Sequence, residues 1–125
     1  MSDIRYTEDH EWIRIEGDIG IMGVSDYAQE QLGDLVYVEL PSVGKKVVKG
    51  MEVAIIESVK VASEVYAPIG GEVIDVNSVL NDSPEKVNED AEGNGWLIRI
   101  KMDQPSEVNA LMDGETYEAF LKGRT

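Results

Sequence analysis

The chain has 125 residues, 25 of them acidic and 11 basic, for a formal net charge of −14 and a pI near 4.3. That balance excludes nucleic acid and anionic membrane surfaces as partners, because both depend on Lys and Arg neutralising phosphates, and it favours protein partners with basic docking surfaces. The absence of Cys excludes disulfides, thiolate nucleophiles and thiolate zinc sites, and the single His10 excludes multi-histidine metal centres.

In chain order, Trp12-Ile13-Arg14-Ile15 alternates weakly and ends at the turn signal Glu16-Gly17-Asp18, after which Ile19 to Val24 reads as the return strand of a hairpin. Ser25 and Asp26 offer N-caps, and Asp26 with Gln29 has the spacing of a capping box, so a short helix closing at Gly33 is expected. Leu35 to Leu40 resumes strand character. Gly44, Val47, Gly50 and Val53 then recur every third residue, which fits short strands joined by tight turns better than a continuous strand or helix. Met51 to Glu57 and Val61 to Tyr66 read as strands, followed by the Pro68-Ile69-Gly70-Gly71 turn and a strand to Val76. The similar layout on both sides of Lys60 suggests a quasi-duplicated unit. Ser83-Pro84-Glu85 predicts a short helix over Pro84 to Val87, and Asn88 to Gly95 a loop. Trp96 to Ile100 is the last strand. Ser106 opens a short helix through Leu111, and Asp113 another in which Tyr117, Phe120 and Leu121 share a face. Many short strands with a few peripheral helices indicate a mostly β sandwich or flattened barrel, with residues 1–125 forming a single domain. With no apolar run near 18 residues and no leader-like N-terminus, the chain is expected to be cytoplasmic, with no membrane span.

Lys60 falls at the tip of the hairpin between two of these strands. A lysine becomes a nucleophile at neutral pH when burial or a nearby cation strips its proton, yet the charges closest in sequence are Glu57 and Glu64, which stabilise the ammonium. Lys60 is therefore a poor catalyst alone. Its stiff, open support suits covalent modification by another enzyme, or the root of a prosthetic arm.

Glu57-Ser58-Val59-Lys60, followed by Ser63, Tyr66-Ala67-Pro68 and Gly71-Glu72-Val73, resembles the lipoyl-attachment segment of the glycine cleavage system H proteins. Collinear matches span nearly the whole chain: Tyr6 and His10-Glu11-Trp12; Gly23-Val24, Ala28-Gln29 and Leu32-Gly33-Asp34; Val38-Glu39-Leu40-Pro41 and Gly44; Asp82-Ser83-Pro84 with Val87-Asn88; and Gly95-Trp96-Leu97.

The resemblance implies a lipoyl/biotinyl-type barrel-sandwich hybrid with short peripheral helices and a C-terminal helical segment. It also implies a non-catalytic carrier, with lipoate in amide linkage to Lys60. The arm would visit glycine decarboxylase (the P-protein), a tetrahydrofolate-dependent aminomethyltransferase (the T-protein) and dihydrolipoyl dehydrogenase (the L-protein), after a lipoate- or octanoate-attaching enzyme had modified the lysine. Because the loaded arm is prone to hydrolysis, a cleft that limits water has a chemical purpose. By the same resemblance its acceptors for a protonated amine are Glu11 and Glu64, with Asp9 a weaker candidate. Transient docking argues for a monomer.

Other features carry less. His10 reads as hydrogen-bonded structure, since no Ser, Cys or metal partner accompanies it. Asn88 to Gly93 has the opening of a calcium loop, but Arg99 stands where such loops place a bidentate Glu. Lys45, Lys46 and Lys49 read as a solvated turn that limits edge pairing. Two departures from the family stand out: Val61 after the lysine, where Ala is more frequent, and Asp90-Ala91-Glu92-Gly93-Asn94 in place of a common Pro-Tyr pair. The second leaves open an H-like lipoyl donor or relay for other lipoate-dependent complexes. A biotinyl carrier would favour Met at positions 59 and 61, and a 2-oxoacid dehydrogenase lipoyl domain would have Asp at 59. A plain interaction module with an unmodified lysine is the remaining alternative.

Overall fold

The computed structural model describes residues 3–123. Among these residues nine strands form two antiparallel sheets. The strands are β1 (Asp3–Tyr6), β2 (Glu11–Glu16), β3 (Ile19–Val24), β4 (Leu35–Glu39), β5 (Lys46–Val47), β6 (Glu52–Ser58), β7 (Ala62–Tyr66), β8 (Gly71–Val76) and β9 (Ile98–Met102). One sheet has the order β1-β2-β3-β9-β8-β5 and the other β4-β6-β7. Four α-helices decorate them: α1 (Asp26–Leu32), α2 (Val79–Asp82), α3 (Lys86–Glu89) and α4 (Gly114–Gly123), with a 3-10 helix over Pro105–Ala110. Among the described residues no helix is long and apolar enough to cross a membrane.

The expected mostly β sandwich with short helices is present. Its core lies between the two sheets, where Ile13, Met22, Val73, Ile98 and Ile100 of the larger sheet share one buried cluster with Val38, Ile56 and Val65 of the smaller. Alternation explains the smaller sheet: Ala54, Ile56 and Ser58 of β6 are buried while Ile55 and Glu57 are only half-buried. Helix α1 begins as its sequence predicts, with Ser25 Oγ accepting from Ala28 N (3.2 Å) and Gln29 Nε2 donating to Asp26 Oδ1 (3.0 Å).

The glycine-punctuated region around Lys60 is one long interrupted hairpin. Glu57 pairs with Ala62 and Glu52 with Tyr66; Ala67 N then donates to Met51 O and Gly50 N to Ala67 O, both at 2.8 Å. Val47 pairs with Gly71 and Lys46 with Glu72, and Val73 N donates to Lys45 O at 2.9 Å. The pairing is nested about residues 59–60 throughout, but it passes from the three-stranded sheet to the edge of the six-stranded one. Gly44 (φ +97°) and Gly50 (φ +87°) supply the left-handed turns that let the ascending arm make this passage, while Val47 and Val53 stay buried. The apparent duplication on the two sides of Lys60 is thus the two arms of a single ribbon.

Several elements differ from the sequence reading. Strand β1 was not expected; it pairs with β2 in full register, Asp3 opposite Ile15 and Tyr6 opposite Trp12. Helix α2 was also unforeseen. The helix expected at Pro84 starts as an α-helix only at Lys86, because Lys86 N and Val87 N bond three residues back to Ser83 O and Pro84 O and make a tight lead-in. The segment from Ser106 is a 3-10 helix, opened by Pro105. The terminal helix begins where expected, with Asp113 Oδ1 accepting from Thr116 N at 2.8 Å.

Gly50→Ala is expected to destabilise the protein by roughly 1–2 kcal/mol, the cost of a left-handed residue that carries a Cβ. Urea unfolding should show a lower midpoint with an unchanged m-value.

Candidate functional site

The ribbon ends in the four-residue turn Ser58-Val59-Lys60-Val61, closed by Ser58 N donating to Val61 O at 2.8 Å. Ser58 is 8% exposed, and its Oγ accepts from Lys60 N (3.0 Å) and Val61 N (3.1 Å). One hydroxyl therefore satisfies two amide donors that the turn would otherwise leave open. A second element steadies the tip from the side: Val59 N donates to Asp34 O at 3.2 Å, in the link between α1 and β4. That link is held by Asn88, whose Oδ1 accepts from Leu35 N (2.9 Å) and whose Nδ2 donates to Gly33 O (2.9 Å) and Gln29 Oε1 (3.0 Å). Gly33 has φ +84°, and a Cβ there would lie 3.2 Å from Lys60 Cε, so the lysine stem runs along bare backbone. Lys60 itself is exposed.

Beside β7 lies an open cleft of about 360 Å³ lined by Glu8, Asp9, His10, Ala62, Ser63, Glu64 and Tyr66. Asp9 and Glu64 thus face a common space. Tyr66 Oη donates to Glu64 Oε2 at 2.7 Å, and this bond, with the carboxylate's charge, pushes the Tyr66 phenol up from its ordinary value. Glu64 is four residues from Lys60, at most about 14 Å of extended chain. A larger hollow of about 780 Å³ lies between α1, residues 89–92 and α4, but no residue of β6 or β7 lines it.

Glu11 takes a different position. It is 3% exposed and sits behind the cleft, where Oε1 accepts from Thr7 Oγ1 (2.7 Å) and Oε2 from Tyr66 N (3.1 Å). Burial raises its carboxyl to about 7, only partly offset by those two donors, with the nearby charge of Asp9 adding to the rise. Glu11 therefore ties the two cleft walls, the 7–10 turn and β7, by its bonds to both.

His10 is the one described residue other than glycine with positive φ, +69°. Its Nδ1 is 2.8 Å from Tyr117 Oη, which is 2.8 Å from Ser25 Oγ. Its ring also meets Tyr27 at 4.8 Å and Phe120 at 6.2 Å between centroids. The structural role expected for His10 is seen, and the residue also lines the cleft. Tyr66 and Ser63 were not singled out as cleft residues from sequence. The signal for Tyr66 was the strand period: two residues beyond Glu64, it follows that residue along the strand. Asn88 left no local signal.

The departing loop is anchored to the fold: Trp12 Nε1 donates to Ala91 O (2.8 Å), and Glu92 accepts from Tyr6 Oη (2.7 Å) and Asp26 N (2.9 Å).

Comparison with known proteins gives a consistent result. The family model for glycine cleavage H-protein matches residues 4–124. Glycine cleavage system H proteins of Parvibaculum lavamentivorans and Xanthobacter autotrophicus are 57% and 54% identical over 98% and 97% of this chain, with the same shares of their own lengths covered. A crystal structure of a glycine cleavage system H protein from Mycobacterium marinum superposes with a TM-score of 0.88 at 36% identity, covering 96% of this chain and 97% of that one.

The Glu11 carboxyl, raised from 4.5 to about 7, holds its proton more tightly in the folded than in the unfolded state. Its contribution to stability is full below pH 4.5 and declines until about pH 7, by an amount on the order of 3 kcal/mol. Glu11→Gln cannot ionise, so its stability relative to the native protein is expected to rise between pH 4.5 and 7.5 in urea unfolding series.

Proposed function

The chain belongs to the glycine cleavage H-protein family, whose members are non-catalytic carriers bearing a lipoyl-lysine, and from that premise we propose that Lys60 is the attachment residue. The carrier serves the P, T and L proteins of the glycine cleavage system. The observation that carries the assignment is the exposed amine at the braced tip of the ribbon, next to a cleft within four residues of it. An amide at Nζ would meet no steric barrier there, and the Gly33 backbone leaves room along the stem.

When bound, lipoate supplies a dithiolane that is reduced, loaded and reoxidised by the partner enzymes. The chain's own residues present the arm and shelter its end. Asp9 and Glu64 offer anionic acceptors to an ammonium entering the cleft. Tyr66 holds the Glu64 carboxylate in place, and the buried Glu11 keeps the 7–10 turn against β7. Residues 1–125 are proposed to act as one lipoyl-carrier domain, monomeric and cytoplasmic. Modification requires a lipoate- or octanoate-attaching enzyme, because an amide forms at an amine only from an activated acyl group.

Intact mass of protein from a lipoylating host should show a lipoyl or octanoyl increment that Lys60→Arg abolishes. In a glycine–bicarbonate exchange assay with the decarboxylase, Lys60→Arg should fall at least a hundredfold below the native carrier; exchange at the native rate would reject the assignment. Asp9→Asn combined with Glu64→Gln should leave the mass increment intact and shorten the lifetime of the loaded carrier about tenfold, the loss of a charge-assisted hydrogen bond.

A further inference from the structure

Four of the nine large apolar side chains exposed among the described residues lie at the root of the proposed arm. Val59 is 71% exposed and Val61 50%, on either side of Lys60. Val36 (55%) and Tyr37 (46%) lie alongside, since Leu35 is opposite Ser58 and Tyr37 opposite Glu57. The β4–β6 register shifts between Leu35 and Tyr37, so Val36 is the extra residue of a bulge, a device that bends a strand and re-aims its side chains. Strand β4 is also an edge strand of the three-stranded sheet. The outward face continues as two cross-strand rows, Tyr37–Glu57–Ala62 and Glu39–Ile55–Glu64. The patch is thus rimmed by the carboxylates of Asp34, Glu39, Glu57 and Glu64.

Resting on the reading of Lys60 as the attachment residue, we propose that Val36 and Tyr37, with Val59 and Val61, form the docking surface for the enzyme that acylates Lys60. Location selects this occupant. The enzymes that use a finished arm act at its far end, an acyl chain away from the lysine, whereas the attaching enzyme must bring its reactive carbonyl to Nζ and therefore closes over the root. Charge specifies the rest: an apolar floor ringed by four carboxylates calls for a partner groove with apolar walls and a basic lip. In that groove the lone pair of the deprotonated Nζ bonds to the carbonyl carbon of an acyl adenylate. The bond from that carbon to the phosphate breaks with its electron pair, and the amine proton passes to a base on the enzyme. The bulge at Val36 is then a recognition feature: it turns an apolar side chain of an edge strand outward beside the turn.

The test uses the full chain with an octanoate-activating ligase, octanoate and ATP, and follows acylation by intact mass. Val36→Ser and Val59→Ser, made singly and together, alter only exposed side chains. Val48→Ser and Val43→Ser, at exposed apolar positions outside the patch, serve as controls, and thermal melts establish folding. The expected result is a KM for the double variant raised at least tenfold with kcat little changed, controls at the native value, and native-rate reoxidation by dihydrolipoyl dehydrogenase once the double variant has been lipoylated to completion. Acylation kinetics equal to native would overturn the proposal, as would an equal loss in acylation and reoxidation, which would make the patch a general docking face. A native chain acylated only at another lysine would instead reject the attachment reading and this proposal with it.

Discussion

The register of the Gly44–Val73 ribbon is the constraint on which the rest depends. Because its pairings are nested about the 58–61 turn, a slip of one residue would move Lys60 off the tip and turn Val53, Ile56 and Val65 away from the core. Hydrophobic burial along the arms therefore fixes where the lysine emerges. The tip needs little stabilisation of its own beyond the Ser58 hydroxyl and the Asp34 carbonyl, and it stays open to partners while its base is held by both sheets.

The buried Glu11 carboxyl works against stability at neutral pH. It has donors on both oxygens, yet burial still raises it to about 7. A glutamine would avoid ionisation but could not accept at both positions, since its amide nitrogen only donates. Retention of the carboxyl is explained by geometry. Thr7 and Tyr66 lie on separate segments, and a double acceptor between them keeps Asp9 and Glu64 at one cleft. His10 adds a second tie from the same turn, through Tyr117 to Ser25 at the cap of α1, and the stacked Tyr6 and Tyr117 rings, 4.3 Å apart, fasten α4 to β1. The terminal helix thus reaches the cleft wall through one phenol.

The sequence revealed those features whose physical cause is local. The Ser25 cap, the Gly17 and Gly33 stops, the strands flanking Lys60 and the turn at its centre all follow from neighbours within a few residues. The motifs around Lys60 carried the family and the fold with them. Features with distant causes were not legible. Strand β1 exists because β2 offers it an edge, and Asn88 braces Gly33 and Leu35 from more than fifty residues away. The glycine repeat at 44 and 50 was visible, but its meaning, a single ribbon crossing between sheets, required the pairing partners at 67–73. Glu11 was legible as a residue of interest only by resemblance; burial decides that it ties the walls from behind instead of lining the space.

Strand β7 joins the two ends of the carrier's task. It starts at the turn that bears Lys60 and runs through Ser63, Glu64 and Tyr66, which line the cleft. On the proposed assignment, an arm rooted at one end of this strand would reach the cleft by folding back along it, so sheltering would need rotation about single bonds of the arm and no rearrangement of the protein. Release would be equally simple: a partner that binds the arm's end more strongly than two exposed carboxylates and a hydroxyl would draw it out. Separation of the cleft from the apolar root would also let one short hairpin present distinct surfaces in sequence. On that reading the root would be covered once, when the amide forms, whereas the cleft would be entered and left in every cycle.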